Sequence, residues 1–263
     1  MTFNGSSVPK LTVITLSRDF ENQTETTMRS VWGQTVLPDR HLVVDSSTLR
    51  VAGKIKELCR GVGAEYLWTS PNGIYPAMRV AVSKLDLDGY CIFLNSGDCF
   101  AAQDTLAKVQ HALINRGDPR PVWAIGGLLF SSPDNRAIPP YSIDASPEDF
   151  GSRLRQGRFW LPHPATVYRS SALVKVRPFE DRLRLAADYA TGLRMFQSFG
   201  PPLLLRDPIA VFDTAGISSA HPIRGAFENS LARLGAFGPL VLPREIYILV
   251  RFVSKRILTR IFE

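Results

Sequence analysis

A chain of 263 residues that is 45% hydrophobic and 10% aromatic has the length and composition for one large globular domain with a real core. Its net charge of +7 comes without a basic–aromatic motif of any known nucleic-acid module, and no stretch reaches the apolar length that spans a bilayer. Three cysteines without metal-type spacing exclude a disulfide scaffold and point to a reduced, cytosolic compartment. The N-terminus reads as free of a signal peptide, because the apolar run 11–16 is short and Arg18 and Asp19 follow at once.

In chain order, residues 11–16 are an apolar, β-branched strand, and a helix is expected from about 22 to 32. A second strand, 41–45, ends in Asp45; a helix near 50–60 and a third strand at 65–68 follow. After the Pro71-Asn-Gly73 turn, residues 74–85 return to helix. The fourth strand begins at Tyr90, is apolar on both faces as in the centre of a parallel sheet, and runs into Asn95-Ser-Gly-Asp98. A helix at 105–115 and a strand at 122–130 complete a β-α-β-α alternation, which implies a mostly parallel sheet with helices on both faces. Residues 131–148, rich in Pro, Ser and Asp, read as a loop. A strand at 165–169, a helix at 187–199, a strand at 203–212 and a turn-rich loop at 216–222 come next.

The last twenty positions carry five basic and two acidic residues, a balance of +3. Ile246, Val250, Val253, Ile257 and Ile261 recur at helical spacing there, with most basic residues on the other face. Such a helix either lies on an anionic membrane surface or docks on the core with a basic solvent face.

Carboxylates at strand ends carry the chemistry. Ligands of open α/β sheets bind at the C-terminal edge of the strands. Asp98 there either holds a divalent cation and its diphosphate, or merely caps the helix that begins near Asp104 or closes a turn. Asp188, at the start of an otherwise apolar helix, is either a further member of the cleft or an N-terminal cap. His163 enters a strand between prolines and is read as acceptor-side or structural.

Seven segments in order resemble the family 2 glycosyltransferases of GT-A fold, nearest to bacterial enzymes of the colanic-acid and mycobacterial glycolipid type. They are Val13-Ile-Thr-Leu-Ser17, Ser30-Val-Trp-Gly-Gln34, Leu42-Val-Val-Asp-Ser-Ser-Thr48, Ser70-Pro-Asn-Gly-Ile-Tyr-Pro-Ala-Met78, Phe93-Leu-Asn-Ser-Gly-Asp98, His163-Pro-Ala-Thr-Val-Tyr-Arg169 and Ala186-Ala-Asp-Tyr189. The resemblance covers roughly residues 11–221. It implies a GT-A, Rossmann-like sheet as one domain over 1–243, with a nucleotide-binding half to about 130 and an acceptor-binding half beyond, followed by the amphipathic helix 244–263.

The resemblance further implies an inverting transfer of one sugar from a UDP- or GDP-linked donor, with Mg²⁺ or Mn²⁺, to a lipid-linked or saccharide acceptor. The protein would be cytoplasmic, or peripheral at the inner membrane face. Asp188 would be the catalytic base. Asp45, Ser17, Asn95, Tyr75 and Arg79 would line the donor site, and Asp98 and His221 would hold the metal.

Departures surround the donor pocket. The family's Gly-Ile-Tyr-Asp-Ala-Met-Asn pattern stands here as Gly73-Ile-Tyr-Pro-Ala-Met-Arg79, Leu49 replaces an acid, and Asn72 stands where aspartate is common. Arg79 either contacts the diphosphate or faces solvent. These changes motivate one alternative, a non-catalytic relative that binds a nucleotide or glycan. A sugar-phosphate nucleotidyltransferase would want a Gly-rich basic loop after the first strand, where Ser17-Arg-Asp-Phe-Glu21 stands instead. The string Gln156-Gly-Arg-Phe-Trp160 has the wrong spacing and place for a processive synthase motif.

Overall fold

The computed structural model describes residues 8–116, 119–134, 136–180, 182–215 and 221–262; in the last helix it describes no side chain at 253 or 255–262. The loop segment 216–220 and the apolar and basic positions of the helix beyond 254 therefore lie outside the described side chains.

Eight strands form one sheet: β1 (Leu11–Ser17), β2 (Arg40–Asp45), β3 (Glu65–Trp68), β4 (Tyr90–Phe93), β5 (Cys99–Phe100), β6 (Trp123–Ser131), β7 (Thr166–Arg169) and β8 (Leu203–Asp213). Their order is β3-β2-β1-β4-β7-β6-β8-β5. Strands β1, β2, β3 and β4 are mutually parallel, β6 and β8 are parallel to one another, and β7 and β5 run antiparallel to their neighbours.

The helices are α1 (Glu21–Trp32), α2 (Leu49–Val62), α3 (Ile74–Val82), α4 (Thr105–Asn115), α5 (Pro147–Arg155), α6 (Ser170–Lys175), α7 (Ala187–Phe199), α8 (Pro222–Phe237) and α9 (Leu242–Phe262). Alternation along the strands sends side chains to two cores. Ile14, Val44, Phe93 and Ile125 meet α3, α5 and α7 on one face. Val13, Ile92, Ala124 and Val167 meet α1 and α4 on the other. Both faces are covered, which is why β1 and β4 are buried at every position.

Residues 131–148 are irregular as expected up to Ser146, where α5 begins. Its start is a capping box: Ser146 Oγ accepts from Asp149 N–H, the Asp149 carboxylate accepts from Ser146 N–H, and Pro147 occupies the first turn. The helices α6 and α8 were not expected from periodicity, because the buried side of α8 includes Glu228, Ser230 and Arg233 rather than a purely apolar stripe.

Candidate active site

Strand directions place the candidate residues on one edge. The C-terminal ends of β2, β4, β6 and β8 share that edge, and antiparallel β7 brings its N-terminal end there too. Asp45, the turn 95–98, Ser131, Asp213 and the segment entering β7 from His163 therefore gather along it.

At the β2 end, Asp45 is wholly buried. Its Oδ1 accepts from the amide and the hydroxyl of Ser47, and its Oδ2 accepts from Tyr66 Oη–H at 2.9 Å. The carboxylate is spent on holding the 46–48 turn. That turn is also bound to the β1 loop, since Asp19 N–H donates to Ser47 Oγ (2.7 Å) and Asp19 Oδ1 accepts from Thr48 N–H (2.9 Å). Asp19 takes a left-handed φ of 59°, an uncommon conformation for a residue with a side chain. Next to Asp45, the buried hydroxyl of Ser46 has no partner. Ser17 is buried and hydrogen-bonded to Thr24, whose hydroxyl reaches Ser96 on the β4 turn.

At the β4 end, α1 secures the turn through one side chain: Thr27 Oγ1 donates to the carbonyls of Asn95 and Asp98 and accepts from Gly97 N–H. Asp98 is buried, and its Oδ1 accepts from the backbone N–H of Asp213 at 3.0 Å. Asp98 does not cap α4, whose N-cap position is Asp104. Burial pushes its carboxyl up to about 7; the charge of Asp213 adds to this, while the amide hydrogen bonds from Asp213 and the 95–98 turn oppose it.

Asp213 was missed in the sequence, although β8 ends in a carboxylate as β2 does. Its side chain lies against Gly97: a Cβ built there would stand 2.9 Å from Asp213 Oδ2, and Gly97 has a φ of 100°. Asn95 Oδ1, on the same 95–98 turn, is buried without a hydrogen-bond partner.

Asp98 and Asp213 offer hard oxygens of the kind Mg²⁺ or Mn²⁺ takes, and the Asn95 amide oxygen lies on the same turn as Asp98. His221 is exposed at the N-cap of α8 and does not join them; no group of three or more metal-ligating side chains occurs among the described residues.

Asp188 sits in the first turn of α7. Ala186 occupies the N-cap, so the capping role does not fall to Asp188. Its Oδ1 accepts from Tyr75 Oη–H at 3.0 Å. Tyr75, on α3, is buried and stacks on Phe179, with ring centroids 6.2 Å apart and planes 8° apart. Burial raises its phenol well above the ordinary range, and the Asp188 charge adds to this, so Tyr75 remains a donor.

Arg79 is half-buried and donates to the Phe179 carbonyl at 2.7 Å, bracing a residue whose φ is 59°. His163 is buried among Phe93, Phe179 and Tyr168, and neither ring nitrogen has a partner. Burial lowers its pKa and the nearby Asp188 charge pulls the other way; the net fall keeps the ring neutral at pH 7. An aromatic group, Phe130, Tyr141, Trp160 and Phe212, packs together at the ends of β6 and β8, the last adjacent in sequence to Asp213.

No protein-family model matches the chain, and no curated protein does. Solved structures do match. S. aureus TarS 1-349 superposes with a TM-score of 0.64 at 17% identity, over 93% of this chain and 70% of that one, and its complex with UDP-GlcNAc gives 0.63 at 16% identity, over 93% and 71%. The mannosyltransferase PcManGT from Pyrobaculum calidifontis, in complex with GDP-Man and Mn2+, gives 0.60 at 17% identity, over 95% and 76%. A 4-diphosphocytidyl-2C-methyl-D-erythritol synthase gives 0.53 at 12% identity, over 83% and 98%. The mixed sheet with helices on both faces and these superpositions together establish that the chain has the GT-A type of fold.

Proposed function

We propose that the chain is a metal-dependent, inverting glycosyltransferase that moves one sugar from a UDP- or GDP-linked donor to a lipid-linked or saccharide acceptor. One observation carries the reading. Of the six buried polar side-chain atoms without partners among the described residues, four, Ser46 Oγ, Asn95 Oδ1 and both nitrogens of His163, lie along the sheet edge that carries Asp98 and Asp213. Buried polar groups are nearly always satisfied, so such a row calls for a polar ligand. The solved neighbours include proteins in complex with UDP, UDP-GlcNAc or GDP-Man and Mn2+, which supports a nucleotide sugar as that ligand.

Asp98, Asp213 and Asn95 would hold the Mg²⁺ or Mn²⁺, which when bound neutralises charge on the departing diphosphate. Ser17, Asp45 and the 46–48 turn form the nucleoside end, with Asp45 acting through the turn it holds. Asp188, oriented by Tyr75, accepts the proton of the acceptor hydroxyl. The freed oxygen forms its bond to the anomeric carbon from one face while the bond to the diphosphate oxygen breaks on the other, and configuration inverts. The neutral His163 and the aromatic group around Trp160 stand on the acceptor side. His221 has no place in this arrangement of described residues.

Asp188→Asn should lower turnover at least about a thousandfold while nucleotide binding is unchanged. Asp98→Ala should weaken the nucleotide-dependent thermal shift only when Mn²⁺ is present. Full turnover in Asp188→Asn would remove it as the base. A non-catalytic binding protein is the reading left if the purified chain binds nucleotide sugars yet neither transfers nor slowly hydrolyses them.

For location, we infer peripheral attachment at the anionic inner face of the membrane through the terminal helix. No described helix is long and apolar enough to cross a membrane. Two alternatives were open for α9, a membrane-bound helix or one docked on the core with a basic solvent face, and the exposure of its apolar stripe supports the first. Glu245 is buried against α8, while Ile246 and Val250 remain exposed.

A further inference from the structure

The α8–α9 hairpin leaves apolar surface with no protein against it. On α8, Ile223, Phe227 and Leu231 stand four residues apart, hence on one stripe, and are 52%, 51% and 43% exposed. On α9, Ile246, Tyr247 and Val250 are 55%, 52% and 60% exposed, and Leu240, in the turn between the helices, reaches 92%. Single exposed apolar residues are ordinary, whereas runs on two adjacent helices mark an interaction surface.

Charge chooses the occupant. Within residues 222–252 the acids are Glu228 and Glu245, and both are buried. Glu228 accepts from Leu185 N–H at 2.6 Å and pairs with Arg224; Glu245 binds Arg233 in a two-pronged contact at 2.6 and 2.7 Å. Arg224 and Arg251 are exposed, and Arg244 is half-buried. The outside of the hairpin is thus apolar with a cationic rim and no exposed acid. A second copy meeting it about a two-fold axis would bring the two rims together. An anionic phospholipid surface satisfies both features.

We propose that the hairpin as a whole, α8 included, docks on anionic phospholipid, and that its anchorage to α7 sets the lipid plane relative to Asp188. The anchorage is explicit: Arg233, while paired to Glu245, also donates to Tyr189 Oη at 3.2 Å, one residue from Asp188. Leu185 N–H, bound to Glu228, fixes the approach to the same helix. The inference deepens the membrane attachment inferred above, which involves the terminal helix alone.

The test uses the full chain in co-sedimentation with vesicles of equal phosphatidylglycerol and phosphatidylcholine, and of phosphatidylcholine alone. The wild type should bind the anionic vesicles and not the neutral ones. Phe227→Ser with Leu231→Ser should weaken that binding about tenfold or more, and Arg251→Glu should weaken it while leaving the apolar stripes intact. Both variants change exposed residues, and an unaltered thermal midpoint checks their fold. Binding that survives the α8 substitutions but is lost on removing residues 253–263 overturns the role of α8 and leaves the terminal-helix reading standing. No binding of the wild type to anionic vesicles, or a concentration-dependent dimer abolished by the α8 substitutions, overturns the lipid assignment altogether; donor binding and transfer would be untouched by either result.

Discussion

Asp188 owes its placement to a single hydroxyl. Tyr75→Phe removes the bond at 3.0 Å and keeps the ring stacked on Phe179. We expect kcat to fall about tenfold with donor affinity unchanged, at a stability cost of about 1 kcal/mol; equal loss in kcat and donor affinity would place Tyr75 in the donor pocket instead. Asp98 makes a pH prediction. Its carboxyl is raised to about 7 by burial, with Asp213 adding to the shift, so protons would compete near neutrality with the divalent cation proposed for it. Mn²⁺-dependent nucleotide binding should weaken as pH falls below about 7. A raised carboxyl favours the folded state while protonated: its contribution is complete below the ordinary carboxylate pKa, about 4, and is lost as pH rises through about 7. The metal-free protein should therefore lose thermal stability between pH 5 and pH 8 by more than the Asp98→Asn variant does, in melts at the two pH values. At this scale Asp98 and Asp188 are legible as candidates because each follows or opens a recognisable apolar element. The sequence hid Asp213, whose strand was expected to stop at Phe212, and it could not show that Asp45 would spend both oxygens internally.

Among the elements, the parallel half of the sheet was legible because β1, β2 and β4 are apolar runs bounded by turn residues. The helices α5, α6 and α8 were not. The start of α5 is built from Ser, Pro and acids, the same residues that make loops, and α8 buries charge that periodicity counts as solvent-facing. That buried charge has a measurable consequence. Glu245→Ala would strand Arg233, which is only 6% exposed, and should cost about 3–5 kcal/mol in denaturant unfolding. Truncation after Phe252 retains the pair and should unfold at the wild-type denaturant midpoint. Removal from residue 244 onward takes Glu245 away and should resemble Glu245→Ala.

Across the whole molecule, the alternation of strand and helix implied the edge along which Asp45 and Asp98 lie together, but not how the second half returns to it. Antiparallel β7 delivers His163 to the edge, β8 delivers Asp213 to Asp98, and α7 delivers Asp188 to Tyr75. Each of these is a long-range pairing that local patterning does not encode. The Tyr75–Asp188 bond joins residues 113 positions apart, from opposite halves of the chain. Divided near residue 130, the chain would yield one fragment holding the phenol and another holding the carboxylate, neither able to orient the proposed base alone. Two inert pieces that recover transfer when mixed, and fail to when one carries Tyr75→Phe, would make this fold a reporter of its own reassembly.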